Sequence, residues 1–344
     1  MAAANRCARQ GGRSPMKLAL YLPNFRTEVT VKELEDLTAL AEDLDLDSVW
    51  TLDRIVVPES SDRGGELTYP FGMMEGLPNQ LPVAARGTFL QGFPLIPWLA
   101  AKTTKVRIGM SIIDTPFRAP GVLAAELATI DHLCNGRLNV ASAPAGCPRS
   151  SRPRARRTSS EAPQARPRDD RGHAGCLDQR HLRVPREFAD FEPCGFGAKP
   201  VQKPHPPIFF SGLKDPKRSA ARIAKYNLSG WIGIQDSPED IKNWRSAIQR
   251  ELDELDTKRS VDDLEVCSML WTVITDQEVD QSDQGRVTNL MVGTAGQITD
   301  RLKAYNEAGL TMPFIWPPFA DVPVAKTMDD LKRLQEEILP KVNA

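Results

Sequence analysis

Short apolar runs alternate with segments of helical period along most of the chain. The run "KLALYLP" (17–23) predicts a first strand. The following "TVKELEDLTALAEDL" (30–44) sets Val31, Leu34, Leu37, Ala41 and Leu44 on one face of a helix. Thr30 with Glu33 three residues on is a capping box that marks where this helix starts. Three more strands are predicted at "SVWTL" (48–52), "VRIGMSII" (106–113) and "RLNVASA" (137–143), the third of the four rich in β-branched residues. Between them lie a Gly- and Pro-rich loop from Asp53 to about Gln91, a short helix "FPLIPWLAAKT" (93–103) and a longer one "APGVLAAELATIDHLCNG" (119–136). The longer helix closes on Asn135-Gly136, a pair suited to the left-handed turn past a helix end.

The same rhythm returns in the second half. "PIFFSG" (207–212), "GWIGI" (230–234), "EVCSMLWTVI" (265–274) and "MPFIWPP" (312–318) predict four more strands. "KRSAARIAKY" (217–226), "SPEDIKNWRSAIQRELDEL" (237–255), "TAGQITDRLKAYNEAG" (294–309) and "TMDDLKRLQEEILPKV" (327–342) predict the helices. Eight strands mostly separated by helices fit an α/β fold of the (β/α)8 TIM-barrel type with insertions. The rival is an open doubly wound sheet. No G-x-G-x-x-G follows the first strand and no G-x-x-x-x-G-K-[ST] occurs, so its nucleotide-binding versions lack support. Residues 1–15 read as a tail or an over-extended start ahead of Met16, and residues 16–344 as one barrel domain, interrupted by an atypical segment at 145–186.

Composition narrows the function classes. The net charge is -1 over 344 residues, which leaves no overall electrostatic footprint for nucleic acid. Six scattered Cys without a C-x-x-C pair fit a reducing cytoplasm rather than a zinc ribbon or a disulfide framework. No apolar run reaches the roughly 18 residues of a membrane span. Metal chemistry is poorly supplied: the four His are 132, 173, 181 and 205, without H-E-x-x-H. His132 reads as a packed or surface residue, and His205 lies in "KPHPPI", a rigid approach to a strand. The absence of G-x-S-x-G argues against a serine hydrolase. A barrel without strong acid, base or metal signals often leaves the hard chemistry to an organic cofactor.

Four blocks sharpen this: "SVWTLDRIVVPE", "TPFRAPGVLAAELATIDHLCNGRLNV", "GFGAKPVQKPHPPIFFSG" and "MVGTAGQITDRLKAYNEAGL". Together they resemble the bacterial luciferase-like superfamily of flavin- and F420-dependent oxidoreductases, over roughly residues 16–146 and 187–340. The most specific stretch runs from Arg118-x-Pro120 through Ala128-Thr129-x-Asp131 to Gly136-Arg137. The resemblance implies a barrel whose cofactor ring, F420 or alternatively FMN, sits at the C-terminal mouth of the strands. It also implies hydride transfer or monooxygenation of a small organic substrate, and leaves a homodimer open. Asp53 and Arg54 fall where many F420-dependent relatives carry Asp-His, and are the candidate catalytic pair. Arg54 cannot act as a general base, but could hold an anionic group. Ser111-Ile112 falls where F420-binding members carry a non-proline cis peptide under the ring. Ser142 at the fourth strand exit, Ser211 and Gly212 in "FFSG", and Gly233 in "GWIGI" complete the candidate cofactor contacts. Glycines there would let backbone N–H groups approach a phosphate. A non-catalytic barrel with a damaged cofactor site is the alternative.

The stretch from Arg149 to Arg186 breaks the pattern. Its eleven Arg against Glu161, Asp169, Asp170 and Asp178 give a net of +7, leaving -8 for the rest of the chain. Pro at 144, 148, 153, 163, 167 and 185 forbids a long helix. A disordered linker and a basic nucleic-acid arm are two readings, and a shifted reading frame is the third and favoured one. Codons compatible with "QARPRDDRGHA" (164–174), read one base later, give KHVRETIEVM. The same shift turns "DQRHLRVP" (178–185) into INDTFEY, and the family has W-x-x-D-T-F-x-Y-x-G-x-F at this point. So little to bury cannot offset an ordering cost of roughly 1–2 kcal/mol per residue, and no regular packed structure is expected from about 145 to 186. Sequencing genomic DNA across codons 140–190 is expected to show the frame displaced by one base and restored before "EFADFEP" (187–193). An uninterrupted frame encoding the printed residues overturns this reading.

Overall fold

The structure is a computed structural model. It describes residues 15–24, 29–53, 55, 90–142, 181–182, 194–195, 197–211, 215–234, 236–280, 290–316 and 322–344. In chain order these form β1 (Ala19–Tyr21), α1 (Val31–Asp43), β2 (Ser48–Thr51), α2 (Gly92–Ala100), β3 (Arg107–Ile113), α3 (Pro120–Leu133) and β4 (Leu138–Ser142). A short antiparallel pair, β5 (His181–Leu182) with β6 (Cys194–Gly195), follows. The second half is β7 (Ile208–Ser211), α4 (Pro216–Tyr226), β8 (Gly230–Ile234), α5 (Pro238–Glu254), β9 (Glu265–Ile274), β10 (Leu290–Gly293), α6 (Ala295–Ala308) and β11 (Met312–Trp316). The chain closes with α7 (Val324–Arg333), a π-helical turn (Leu334–Ile338) and α8 (Leu339–Asn343).

The strands close into a ring of eight, all parallel, in the order β1-β2-β3-β4-β7-β8-β9-β11 and back to β1. Closure through β8 with β9 (Ile232 beside Cys267) and β11 with β1 (Phe314 beside Ala19) decides for the barrel over the open sheet. All eight ring strands lie where the apolar runs predicted them, with ends differing by one or two residues. β10 was not foreseen: it extends the sheet beside the C-terminal half of β9, Leu290 against Trp271. Its four residues, "LMVG", carry too short a pattern to separate from a loop. The β5–β6 pair corrects the expectation for 145–186, because His181–Leu182 lies inside that stretch and forms a regular ladder. The remainder of the stretch lies outside the described residues.

Helix starts obey the local rules. Thr30 and Glu33 form the expected capping box, with the Glu33 amide donating to Thr30 Oγ1 and the Thr30 amide to Glu33 Oε2. Of the predicted face of α1, Leu34, Leu37 and Ala41 are buried, whereas Val31 at the first turn stands exposed. α3 ends through left-handed Asn135 and Gly136, as the Asn-Gly pair predicted. Met16 is buried and exchanges hydrogen bonds with Asn343 at the far end of the chain, tying the two ends of the described fold together. Among the described residues no helix is long and apolar enough to cross a membrane.

Two apolar layers result from the alternation of the strands. The larger lies between sheet and helices. The smaller fills the barrel, with Ala19, Tyr21, Trp50, Ala141, Phe209, Cys267, Phe314 and Trp316 among its members. Trp50 is its centre. Its ring packs edge-on to Phe209 at 5.4 Å and tilted against Phe314 at 4.8 Å, while its Nε1 donates to Ser48 Oγ. The indole fits because its neighbour on β3 is Gly109, where a Cβ would lie 2.3 Å from the ring. Gly109→Ala is therefore expected to overpack the barrel and cost about 1–3 kcal/mol. Urea denaturation should show this loss, and Trp50→Phe in the Gly109→Ala background should recover part of it. Unchanged stability would mean that the interior has slack there.

Candidate functional site

The C-terminal ends of the ring strands form a mouth that is aromatic and apolar at its floor. Tyr21 ends β1 and Trp316 ends β11, with their rings 4.9 Å apart. Trp271 of β9 meets Trp316 edge-on at 5.7 Å. Leu52, Ile234 and Val292 are partly buried against this cluster. The Tyr21 hydroxyl donates to the Ser111 carbonyl, holding the exit of β3 against β1. Ser111 is fully buried, and its Oγ has no hydrogen-bond partner. A buried hydroxyl left unpaired costs free energy, so a partner supplied from elsewhere would be favoured.

The sequence candidates divide under this geometry. The Ser111-Ile112 peptide is cis, as the resemblance implied. Ser211 ends β7, buried, in register with Ile232 of the interior cluster. Ser142 ends β4 with its Oγ buried and unpartnered. In the alternation of β4 it shares the side of Val140, which packs toward the helices, while Ala141 packs into the barrel. Gly233 also lies on the helix side. The space a Cβ would take is filled by the Asp236 carboxyl, whose Oδ2 comes within 1.5 Å of that position. The glycine at 233 thus accommodates a carboxyl of this chain. Arg54 and Gly212 lie outside the described residues.

Asp53 is 2% exposed and its carboxylate is fully engaged. Arg118 grips it with both arms, Nη1 to Oδ2 at 2.5 Å and Nη2 to Oδ1 at 3.0 Å. The Asp114 amide also donates to Oδ2, at 2.9 Å. The guanidinium lies over the Phe93 ring, 4.0 Å from its centre. Asn24 makes a second clamp on the same side. Its side chain donates to the Leu52 and Leu90 carbonyls and accepts from the Leu52 amide. Sequence reasoning named neither Tyr21 nor Asn24 for the site. A lone Tyr and a lone Asn at the end of an apolar strand run were the available signals.

The other end of the signature is structural. Arg137, partly buried just before β4, donates to the carbonyls of Ala100, Thr103, Val106 and Cys134 and to Thr103 Oγ1. Asp131 accepts from the Gln202 amide and side chain, and His132 pairs with the Lys199 carbonyl. These contacts fasten the segment leading into β7 under the barrel, away from the mouth. Among the described residues no cluster of three His, Cys, Asp or Glu is placed to hold a metal ion.

Residues 16–146 match the family model described as luciferase-like monooxygenase. Among curated proteins, none matches the chain in sequence. Solved structures do match. The monooxygenase RslO1 from Streptomyces bottropensis superposes with a TM-score of 0.67 at 17% identity, over 94% of this chain and 99% of that one. The coenzyme F420-dependent tetrahydromethanopterin reductase from Methanopyrus kandleri gives 0.65 at 13%, over 95% and 99%. The oxygenating constituent of 3,6-diketocamphane monooxygenase from Pseudomonas putida, in complex with FMN, gives 0.67 at 13%, over 95% and 99%. These likenesses establish the fold as a luciferase-like TIM barrel.

Asp236, two residues past β8, carries a testable consequence. Burial, reinforced by Asp240, pushes its carboxyl up to about 7 from an ordinary 3.8, and its Oδ2 has no hydrogen-bond partner. The folded form therefore holds a proton that the unfolded chain releases. Its contribution is fully present below about pH 4 and is lost as pH rises through about 7, on the order of a few kcal/mol in all. Asp236→Asn, which mimics the neutral acid in the Gly233 notch, is expected to be the more stable protein above pH 7 and to flatten that slope. Chemical denaturation across pH checks it. Identical slopes for both proteins would show that Asp236 does not titrate in this range.

Proposed function

We propose that the chain is a luciferase-like oxidoreductase that takes coenzyme F420, with FMN as the alternative cofactor, and acts on a small organic substrate by hydride transfer or monooxygenation. The observation that carries this reading is the Ser111 hydroxyl, buried and unpartnered at an aromatic and apolar barrel mouth. Such a mouth suits a flat, largely neutral ring, since pockets for organic cofactors are mainly apolar with a few placed polar groups. The residues present fit that role. Ser111 Oγ would donate to or accept from the ring edge, and Ser211 stands two strands along the ring, at the end of β7 beyond β4. Tyr21, Trp316 and Leu52 would exclude water from it. When bound, the cofactor supplies the hydride or the oxygen chemistry, and the chain's part is to bind, orient and keep the site dry. Solved structures of this fold include F420-dependent and FMN-bound enzymes, so the preference for F420 rests on the residues at the β3 exit.

One observation favours a second reading, a remnant barrel that holds no cofactor. β4 ends at Ser142, directly before the Arg- and Pro-rich stretch where the resemblance fails. Titration of the protein with F420 and with FMN, followed by fluorescence quenching, separates these readings. F420 is expected to bind more tightly, and Ser111→Ala to weaken it about tenfold, the worth of one buried hydrogen bond. Tight FMN binding without F420 binding would change the cofactor. Binding of neither favours the remnant, and turnover with NADPH alone overturns the luciferase-like, F420- or FMN-dependent reading proposed here.

A further inference from the structure

Asp53 is one of the candidate catalytic pair named from the sequence, and its surroundings give it different work. A general base needs a lone pair that a substrate proton can reach, and Asp53 is only 2% exposed. Both oxygens of Asp53 already accept hydrogen bonds, from Arg118 Nη1 and Nη2 and from the Asp114 amide. Arg118 Nη1 also reaches the Asp114 carbonyl at 3.4 Å, so the pair brackets Asp114 from both sides of its backbone. The Asp114 side chain in turn accepts from the Ile55 amide at 3.3 Å. The clamp thus ties the exit of β2 to the exit of β3, three residues beyond Ser111. Phe93 of α2 backs the guanidinium and limits where it can lie.

We infer that Asp53 and Arg118 act together as positioning residues: their bidentate pair fixes the β3 exit so that the Ser111 hydroxyl and the Ile112 backbone stay presented to the bound cofactor. The inference rests on the cofactor reading above and deepens it. The charges of Asp53 and Arg118 cancel within the pair, while Asp114 keeps its own carboxylate at the same exit. A lysine could keep the charge at 118 but could not hold both oxygens and the Asp114 carbonyl at once.

The test uses the full chain and the variants Asp53→Asn, Asp53→Ala, Arg118→Lys, Arg118→Ala and the double alanine variant, each titrated with F420 and with FMN. The clamp acts on the cofactor through the Ser111 hydroxyl, so each alanine variant is expected to lose up to about tenfold in cofactor affinity, the loss expected for Ser111→Ala. The double variant is expected to bind no worse than either single one, because each breaks the same clamp. Arg118→Lys is expected to shift the absorption band of the bound cofactor while still melting cooperatively, which a merely structural ion pair would not do. In turnover, Asp53→Asn is expected to keep both limbs of the wild-type pH profile.

Three outcomes overturn the inference. One is wild-type cofactor affinity in Asp53→Asn with turnover abolished and one limb of the pH profile missing, which makes Asp53 catalytic. Another is lowered melting temperatures in Arg118→Lys and Arg118→Ala with unchanged affinity and spectrum, which makes the pair structural only. The third is strict additivity in the double variant. A wild-type chain that takes up neither cofactor overturns the functional reading itself, and the inference with it. Should Asp53→Ala fail to fold, Asp53→Asn and Arg118→Lys carry the comparison.

Discussion

Parallel strands of three to ten residues leave every backbone group on an open edge exposed, and a closed ring removes the edge altogether. Everything else in this chain follows from that closure. A ring of eight encloses a space that only side chains can fill. The filling must be matched residue by residue, because inward positions from neighbouring strands lie side by side. Trp50 takes the centre only because Gly109 on the next strand yields its side-chain volume. Smaller inward residues, Ala19 and Ala141, sit where large neighbours such as Phe314 and Phe209 pair beside them in the ladder.

Closure also gives the barrel two unlike ends. At the N-terminal end, polar groups are spent on holding the chain together. Arg137 gathers four backbone carbonyls and a hydroxyl, and Asp131 is satisfied by Gln202. At the C-terminal end the interior is aromatic, and some polar groups are left unmatched, Ser111 Oγ above all. α3 links the two ends. It starts just after Arg118, which reaches Asp53 at the mouth, and finishes with Asp131 near the base. The strongest signature in the sequence therefore spans the height of the barrel, and only its first residue bears on the mouth.

This explains how much could be read from sequence. The ring strands, the capping box at Thr30 and the turn at Asn135-Gly136 depend on local pattern, and they were legible. What depended on contacts between distant residues was not. Nothing within "GWIGI" reveals that Gly233 makes room for Asp236, because the loop between them folds back on the strand. Nothing in "TLDR" shows that Asp53 is held from 65 residues away by Arg118. β10 escaped notice because it borrows its regularity from β9 rather than from its own four residues. The two-residue ladder of β5 and β6 is set by pairing alone, so composition gave no warning of it.

Among the described residues, the electrostatics of the mouth bear on which chemistry the site favours. A carboxylate can abstract a proton only if a lone pair is free and reachable; three of the roughly four on Asp53 are taken, two by a guanidinium that sits 4.0 Å from the Phe93 ring centre, and the side chain is buried. The buried Asp236 carboxyl faces the helix side of β8, away from the interior cluster. The Cys267 thiol lies inside the barrel, with burial pushing it well above its ordinary range, so it offers no ready thiolate. Among the described residues the mouth thus combines hydroxyls, backbone groups and aromatic walls. Those are the parts of a holder rather than of a reagent. Among the described residues Asp53 and Arg118 neutralise each other, and in an apolar surrounding every hydrogen bond made to a guest is strengthened. On the proposed reading that guest is the redox ring, and the pairing of Asp53 with Arg118 is what keeps its seat rigid.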